Sequence, residues 1–145
     1  MKTASASATA LTSLLTLSVL LCGSGSASAA PRDDILRSLD SAARAADPAF
    51  TGFSAARGQT LHTQAFAGGK ADTPACTACH GATPRSSGRT PAGKAVEPMA
   101  LSLSPSRYSD AAKVDKWFTR NCREVLGREC TPREKGDWLS FMFSQ

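Results

Sequence analysis

Cys76-Thr77-Ala78-Cys79-His80, followed at once by Gly81, is the stretch that organises the chain. Two thiols separated by two residues, with a histidine directly after them, form the signature of covalent haem attachment: each thiol can make a thioether to one haem vinyl while His80 meets the iron from below. A Cys-x-x-Cys alone would also suit a redox dithiol or half a zinc site. The dithiol reading wants a strand–helix setting, and zinc wants further thiols or imidazoles close by. His62 is the only other histidine, however, and Cys122 and Cys130 lie far downstream. A disulfide between Cys76 and Cys79 would close a very tight loop. The expectation is one covalent haem c.

The chain has 145 residues and a formal net charge of +5, a mild basic balance that two haem propionates would lower further and that does not imply nucleic-acid binding. Its first residues read as an export signal. Lys2 supplies the charge, Leu11 to Leu21 the apolar core, and Ala27-Ser28-Ala29 a small-residue cleavage site. That apolar run is short for a bilayer span, and the bulky Leu21 before Cys22 argues against lipoprotein processing. The expected organisation is a cleaved signal peptide over 1–29 and a single monohaem domain over 30–145, with no membrane span once the signal is removed. A domain of this size has a marginal core without a staple. The haem supplies apolar volume, and Cys122 and Cys130 are free to pair in an oxidising compartment. Export, haem attachment and disulfide agree with one another.

The flanking sequence reads as helices. Pro31 to Ala46 carries Ile35, Leu36, Leu39, Ala42 and Ala46 at helical spacing and stops at Asp47-Pro48. Phe53 to Phe66 is a second candidate, with Gly58 allowing a close backbone approach and Gly68-Gly69 ending it. Residues 81–106 carry Pro84, Pro91, Pro98 and Pro105, which predicts a long loop without helix or strand. That loop is expected to wrap the haem edge, with Arg85, Arg89 and Lys94 as candidate propionate partners.

Ser109 or Asp110 can cap a third helix that runs to about Leu126 and stops at Gly127. Val114, Trp117, Phe118, Asn121, Cys122 and Val125 share one face of it, an apolar stripe with an asparagine inside. Lys113, Lys116, Arg120 and Arg123 repeat that spacing one residue displaced, a basic strip along the stripe that beside a haem edge could dock an acidic redox partner. Thr131-Pro132-Arg133-Glu134 is a capping box with proline at the first helical position, opening a last helix through Trp138, Leu139, Phe141 and Met142. Short helices, a haem and no strand pattern predict an all-α fold.

The second axial position of the iron decides between a permanent electron carrier and a ligand binder. Met142 sits on the apolar face of the last helix and reads most simply as core. His62, on the helix expected to cross the last one, reads as a packing or surface residue. Met99 is the conventional thioether choice, though it follows His80 closely in the chain. Asn121 is the odd member of its stripe. A buried amide costs roughly 1–3 kcal/mol unless something satisfies it. Ferric iron could do so through the carbonyl oxygen; the other reading is a hydrogen-bonded helix residue or one at the stripe's edge.

The motif Cys76-Thr-Ala-Cys-His80-Gly81, together with Gly68-Gly69-Lys70-Ala71-Asp72-Thr73-Pro74, Pro98-Met99-Ala100, Arg107-Tyr108-Ser109-Asp110, Lys116-Trp117-Phe118-Thr119-Arg120-Asn121-Cys122 and Gly127-Arg128-Glu129-Cys130-Thr131, resembles the oxygen-binding monohaem cytochromes c of the SHP type. The resemblance runs from about Arg57 to the end of the chain. It implies a class I cytochrome c fold, His80 as the proximal axial ligand and Asn121 as the distal ligand of the oxidised iron. On reduction that distal ligand would be released so that oxygen, nitric oxide or carbon monoxide can bind. It further implies a Cys122–Cys130 disulfide beside the ligand and reduction by another c-type cytochrome, often a dihaem one. Met99, Trp117 and Phe118 become candidates for the distal pocket. One departure stands out: His62 takes a place where the family carries an aromatic residue, which puts the aromatic contact between the first and last cytochrome helices in question.

The resulting expectation is a periplasmic redox protein that accepts electrons from a partner cytochrome and binds a diatomic ligand. No catalytic residue is assigned; an oxygen- or nitric-oxide-dependent redox activity would make the protein an enzyme. The rival is a plain electron carrier with permanent His80 and Met99 ligation.

Overall fold

A computed structural model describes Met1 and residues 29–145. The export-signal expectation, with Lys2, Leu11 to Leu21 and Cys22, falls on residues 2–28 and lies outside the described residues. Among those described, no helix is long and apolar enough to cross a membrane.

Among the described residues there are five helices: α1 (Ala29–Ala46), α2 (Ala55–Thr63), the single turn α3 (Thr77–His80), α4 (Ala111–Leu126) and α5 (Pro132–Phe143). Their ends follow local chemistry. The side chain of Ser54 caps α2 by accepting from the Arg57 amide, and Asp110 caps α4 by accepting from the Lys113 amide. Gly127 ends α4 with φ 74°, the left-handed conformation that favours glycine after a helix. Thr131 and Glu134 form the reciprocal capping box, with Pro132 inside the first turn of α5.

The α2–α5 crossing sets the architecture. A Cβ on Gly58 would sit 2.0 Å from the Asp137 carbonyl oxygen, so only a glycine lets these backbones approach so closely. A buried carboxylate locks the crossing. Arg57 Nε and Nη2 donate to Asp137 at 2.7 and 2.8 Å, and the Ser54 amide donates to the same carboxylate at 2.7 Å. Helix α1 packs across α5 and touches α4. Ile35, Met99, Tyr108, Trp138, Leu139 and Met142 meet in the core they enclose. Met142 is fully buried there, as its stripe position implied.

The long loop departs from expectation in one respect. Gly88–Arg89 (β1) pairs antiparallel with Ala95–Val96 (β2), a two-residue ladder too short to leave an alternating pattern in the sequence. The loop is also pinned from within: the carbonyl of fully buried Pro84 accepts from the amides of Met99 and Ala100 at 2.7 and 2.8 Å.

Candidate haem site

A cavity of about 850 Å³ opens between α3, the Pro98–Asp110 segment and the inner face of α4. Its size and mainly apolar lining suit a large planar cofactor. Cys76, Cys79 and His80 line one side. Asn121, Trp117 and Phe118 line the α4 side, and Met99 lies on the loop wall, so the attachment cysteines, His80 and the distal-side residues expected from sequence border the same space.

The floor is built to present imidazole and thiols. The α3 turn holds His80 through its amide, which donates to the Cys76 carbonyl at 3.0 Å. His80 Nδ1 is sealed from solvent with no hydrogen-bond partner, which leaves Nε2 as the nitrogen for a metal in the cavity. Burial, then the nearby His62 and Arg107, push His80 down to about 4, so the ring is a neutral imidazole, the form that coordinates iron. Burial likewise pushes the Cys76 thiol up to about 11; Cys79 is raised too, by burial and by the carboxylates of Glu124 and Asp72. Neither cysteine is in a disulfide. Thiols held in protonated form are poor redox or metal thiolates. No group of three or more histidine, cysteine or acidic side chains gathers to hold a metal ion among the described residues, so the zinc reading has no donor set.

The opposite wall differs in kind. Asn121 is half-buried, as at the edge of its stripe, and its side-chain amide makes no hydrogen bond within the protein among the described residues. Trp117 lies one turn earlier with 45% of its surface exposed and the Arg120 guanidinium 5.6 Å from its ring centre. Cys122 is bridged to Cys130, with the two Cα atoms 5.6 Å apart. That loop ties the end of α4, next to Asn121, to the start of α5. Gly69 packs against the same helix end, where a Cβ would meet the Glu124 and Val125 carbonyl oxygens at 2.2 and 2.3 Å.

Two of the three expected propionate partners turn elsewhere. Arg85 donates to Ser102 Oγ and Arg89 to the Gly93 carbonyl, both on the exterior; Lys94 alone of the three borders the cavity. Sequence reasoning missed Arg107. It lines the cavity with its Nε buried and unpartnered, a cation in want of an anion. Its neighbour Tyr108 adopts φ 65° and donates its hydroxyl to the Met99 carbonyl at 2.7 Å, fixing this wall. The residues present therefore fit a haem c: two thiols, a sealed neutral imidazole, an apolar slot and an orphaned guanidinium for a propionate.

His62 is wholly buried, outside the cavity lining, with ring centres 5.9 Å from Phe141 and 6.2 Å from Trp138. The imidazole thus keeps a ring-to-ring contact between α2 and α5, and the contact placed in question by its identity is present.

An all-α frame that closes a haem-sized cavity over a Cys-x-x-Cys-His turn defines a c-type cytochrome. Comparison with known proteins agrees. Residues 48–142 match the family described as domain of unknown function DUF1924. The cytochrome c-type protein SHP of Cereibacter sphaeroides is 42% identical over 135 residues, covering 93% of this chain and all of that protein. Among solved structures, oxidised SHP, titled an oxygen-binding cytochrome c, superposes with a TM-score of 0.72 at 40% identity, covering 79% of this chain and 96% of the other. Oxidised cytochrome c'' of Methylophilus methylotrophus gives 0.70 at 25% identity, with 80% and 95% covered. The chain belongs to the SHP-type cytochrome c family; its fold is the all-α cytochrome c fold and its cofactor one covalently bound haem.

Proposed function

We propose that this protein is an exported redox protein that takes electrons from another c-type cytochrome and, once reduced, opens one face of its haem to a diatomic molecule such as oxygen, nitric oxide or carbon monoxide. Haem c supplies the one-electron couple and the coordination site. Cys76 and Cys79 provide the two thioether sulfurs, His80 Nε2 the permanent axial donor, and Arg107 with Lys94 the counter-charges for propionates.

The observation that carries the reading is the amide of Asn121, which borders the cavity from α4 without a hydrogen-bond partner among the described residues. An amide oxygen is a hard, weak donor, better matched to ferric than to softer ferrous iron. Asn121 therefore holds the oxidised state and withdraws on reduction, while the Cys122–Cys130 loop keeps it near enough to return. Trp117, one turn earlier on the same wall, is 45% exposed. The exposed Lys113 and Lys116 beside it form the basic edge that an acidic donor surface would meet. An oxygen-binding relative and the fit of the distal residues both support this reading.

The second reading, permanent ligation by Met99, has one observation in its favour: Met99 also borders the cavity. Its side chain is 7% exposed and belongs to the core of Tyr108, Trp138 and Leu139, a packing role that explains it already. Asn121→Met separates the two. The expected result is an oxidised spectrum that gains thioether ligation and a reduced form that stops responding to carbon monoxide. A variant with both properties as in the wild type would overturn the assignment of Asn121.

A further inference from the structure

A second, smaller cavity of about 210 Å³ lies between α1 and the first two turns of α4. Ile35 and Leu39 face it from α1, and Ala111, Val114 and Phe118 from α4. Each set follows the three- and four-residue spacing that puts side chains on one face of a helix. Ser38, Ala111 and Asp115 are exposed, Leu39, Val114 and Phe118 are half-buried, and Ile35 is buried, so the cavity runs inwards from the surface.

Its inner end meets the haem cavity. Val114 and Phe118 line both spaces, which makes these two side chains the partition between them. The partition stands on α4, the helix that carries Asn121. Phe118 is steadied by Trp138, edge-on with ring centres 5.5 Å apart, an apolar contact that leaves no polar group in the passage.

The charges at the rim answer one another. Lys135 Nζ donates to Asp115 Oδ1 at 2.7 Å and lies 5.9 Å from the centre of the Phe118 ring. A paired lysine and aspartate offer no net charge to an ion, and the apolar walls offer a water few of the polar partners it needs. A small apolar space of this kind suits an uncharged guest such as xenon or a diatomic gas.

We propose that the α1–α4 cavity is an antechamber that admits and holds a diatomic molecule, which then passes Val114 and Phe118 to reach the distal wall. The inference rests on the reading of the α4 side as the gas-binding face, and adds to it a second apolar site and a route. The occupant is set by the neutral, apolar lining and by the wall shared with the haem cavity.

The test uses haem-loaded, reduced protein with carbon monoxide bound. A light flash frees the carbon monoxide, and its rebinding is followed in wild type, Leu39→Trp and Ser38→Trp, with and without xenon under pressure. Leu39 and Ser38 border the small cavity alone of the two, so the oxidised spectrum and the extent of carbon monoxide binding should match wild type in both variants. Leu39→Trp fills the antechamber and should slow rebinding from solution severalfold. Ser38→Trp, at the exposed rim, should slow it less. Xenon should slow wild-type rebinding and leave Leu39→Trp unaffected. Rebinding at the wild-type rate in Leu39→Trp, or wild-type rebinding indifferent to xenon, would each overturn the proposal. If Leu39→Trp fails to fold, a wild-type rate in Ser38→Trp would overturn it equally. Reduced wild-type protein that takes up no carbon monoxide would instead refute the gas-binding reading itself, a distinct outcome that removes the antechamber with it.

Discussion

The two faces of the cavity are built to opposite rules. The His80 face is made of short contacts: a one-turn helix, a sealed nitrogen, and behind it the α2–α5 crossing at which Gly58 admits the Asp137 carbonyl. The Asn121 face is a single helix wall with a half-exposed tryptophan, an amide without a hydrogen-bond partner among the described residues and one covalent tie at its end. A ligand held on the first face cannot move without disturbing the frame, whereas one on the second can leave and return within its own helix. On the proposed reading, the difference makes permanence at the metal a property of the packing behind the ligand as much as of the donor atom.

The comparison can be broken on either side. The largest effect should come from Asp137→Ala, which strands the Arg57 guanidinium and the Ser54 amide at the crossing. Because Arg57 keeps 41% of its side chain exposed, the loss should fall at the low end for a buried pair, about 3 kcal/mol. Chemical denaturation should show that loss while the oxidised spectrum stays unchanged, since the distal wall is untouched. Replacing Cys122 and Cys130 together by serine should cost somewhat less stability, about 2–3 kcal/mol for so short a loop. There the spectrum is the sharper readout: Asn121 should rebind more slowly after reoxidation, and unchanged rebinding would show that the disulfide serves stability alone.

The smallest effect concerns the turn that joins the disulfide to α5. Arg128, donating to both oxygens of Glu134, holds that carboxyl below its ordinary 4.5. A depressed carboxyl contributes stability that is fully present above the unfolded value and is lost as pH falls below it. Glu134→Gln should therefore lower stability at neutral pH by under about 1 kcal/mol, the scale of a partly exposed pair. It should also flatten the loss of stability on acidification below pH 4.5, as followed by denaturation at stepped pH.

Much of the frame was legible because its signals are local. The haem turn, the Asp110 cap and the Thr131 capping box each occupy a few adjacent residues, and Gly58 lay on the right helix face. Asn121 stood out because the α4 stripe is periodic and an amide breaks it. What escaped depends on distant partners. Arg107 looked like one basic residue among many until the left-handed turn at Tyr108 and the cavity wall gave it a direction. Arg85 and Arg89 were plausible from the loop's composition, but the β1–β2 ladder and the Ser102 contact turn them outward. For His62, spacing left packing and surface both open. It is buried against Trp138 and Phe141, residues that no local pattern connects to it.

The central claim is that electron gain frees the face opposite His80. The most direct measurement is to reduce the wild-type protein anaerobically, mix it rapidly with carbon monoxide and follow the haem spectrum. A fast, saturating change in the reduced form, with none in the oxidised form, is the predicted result. A reduced spectrum that carbon monoxide leaves unaltered would contradict it and return the iron to two permanent ligands.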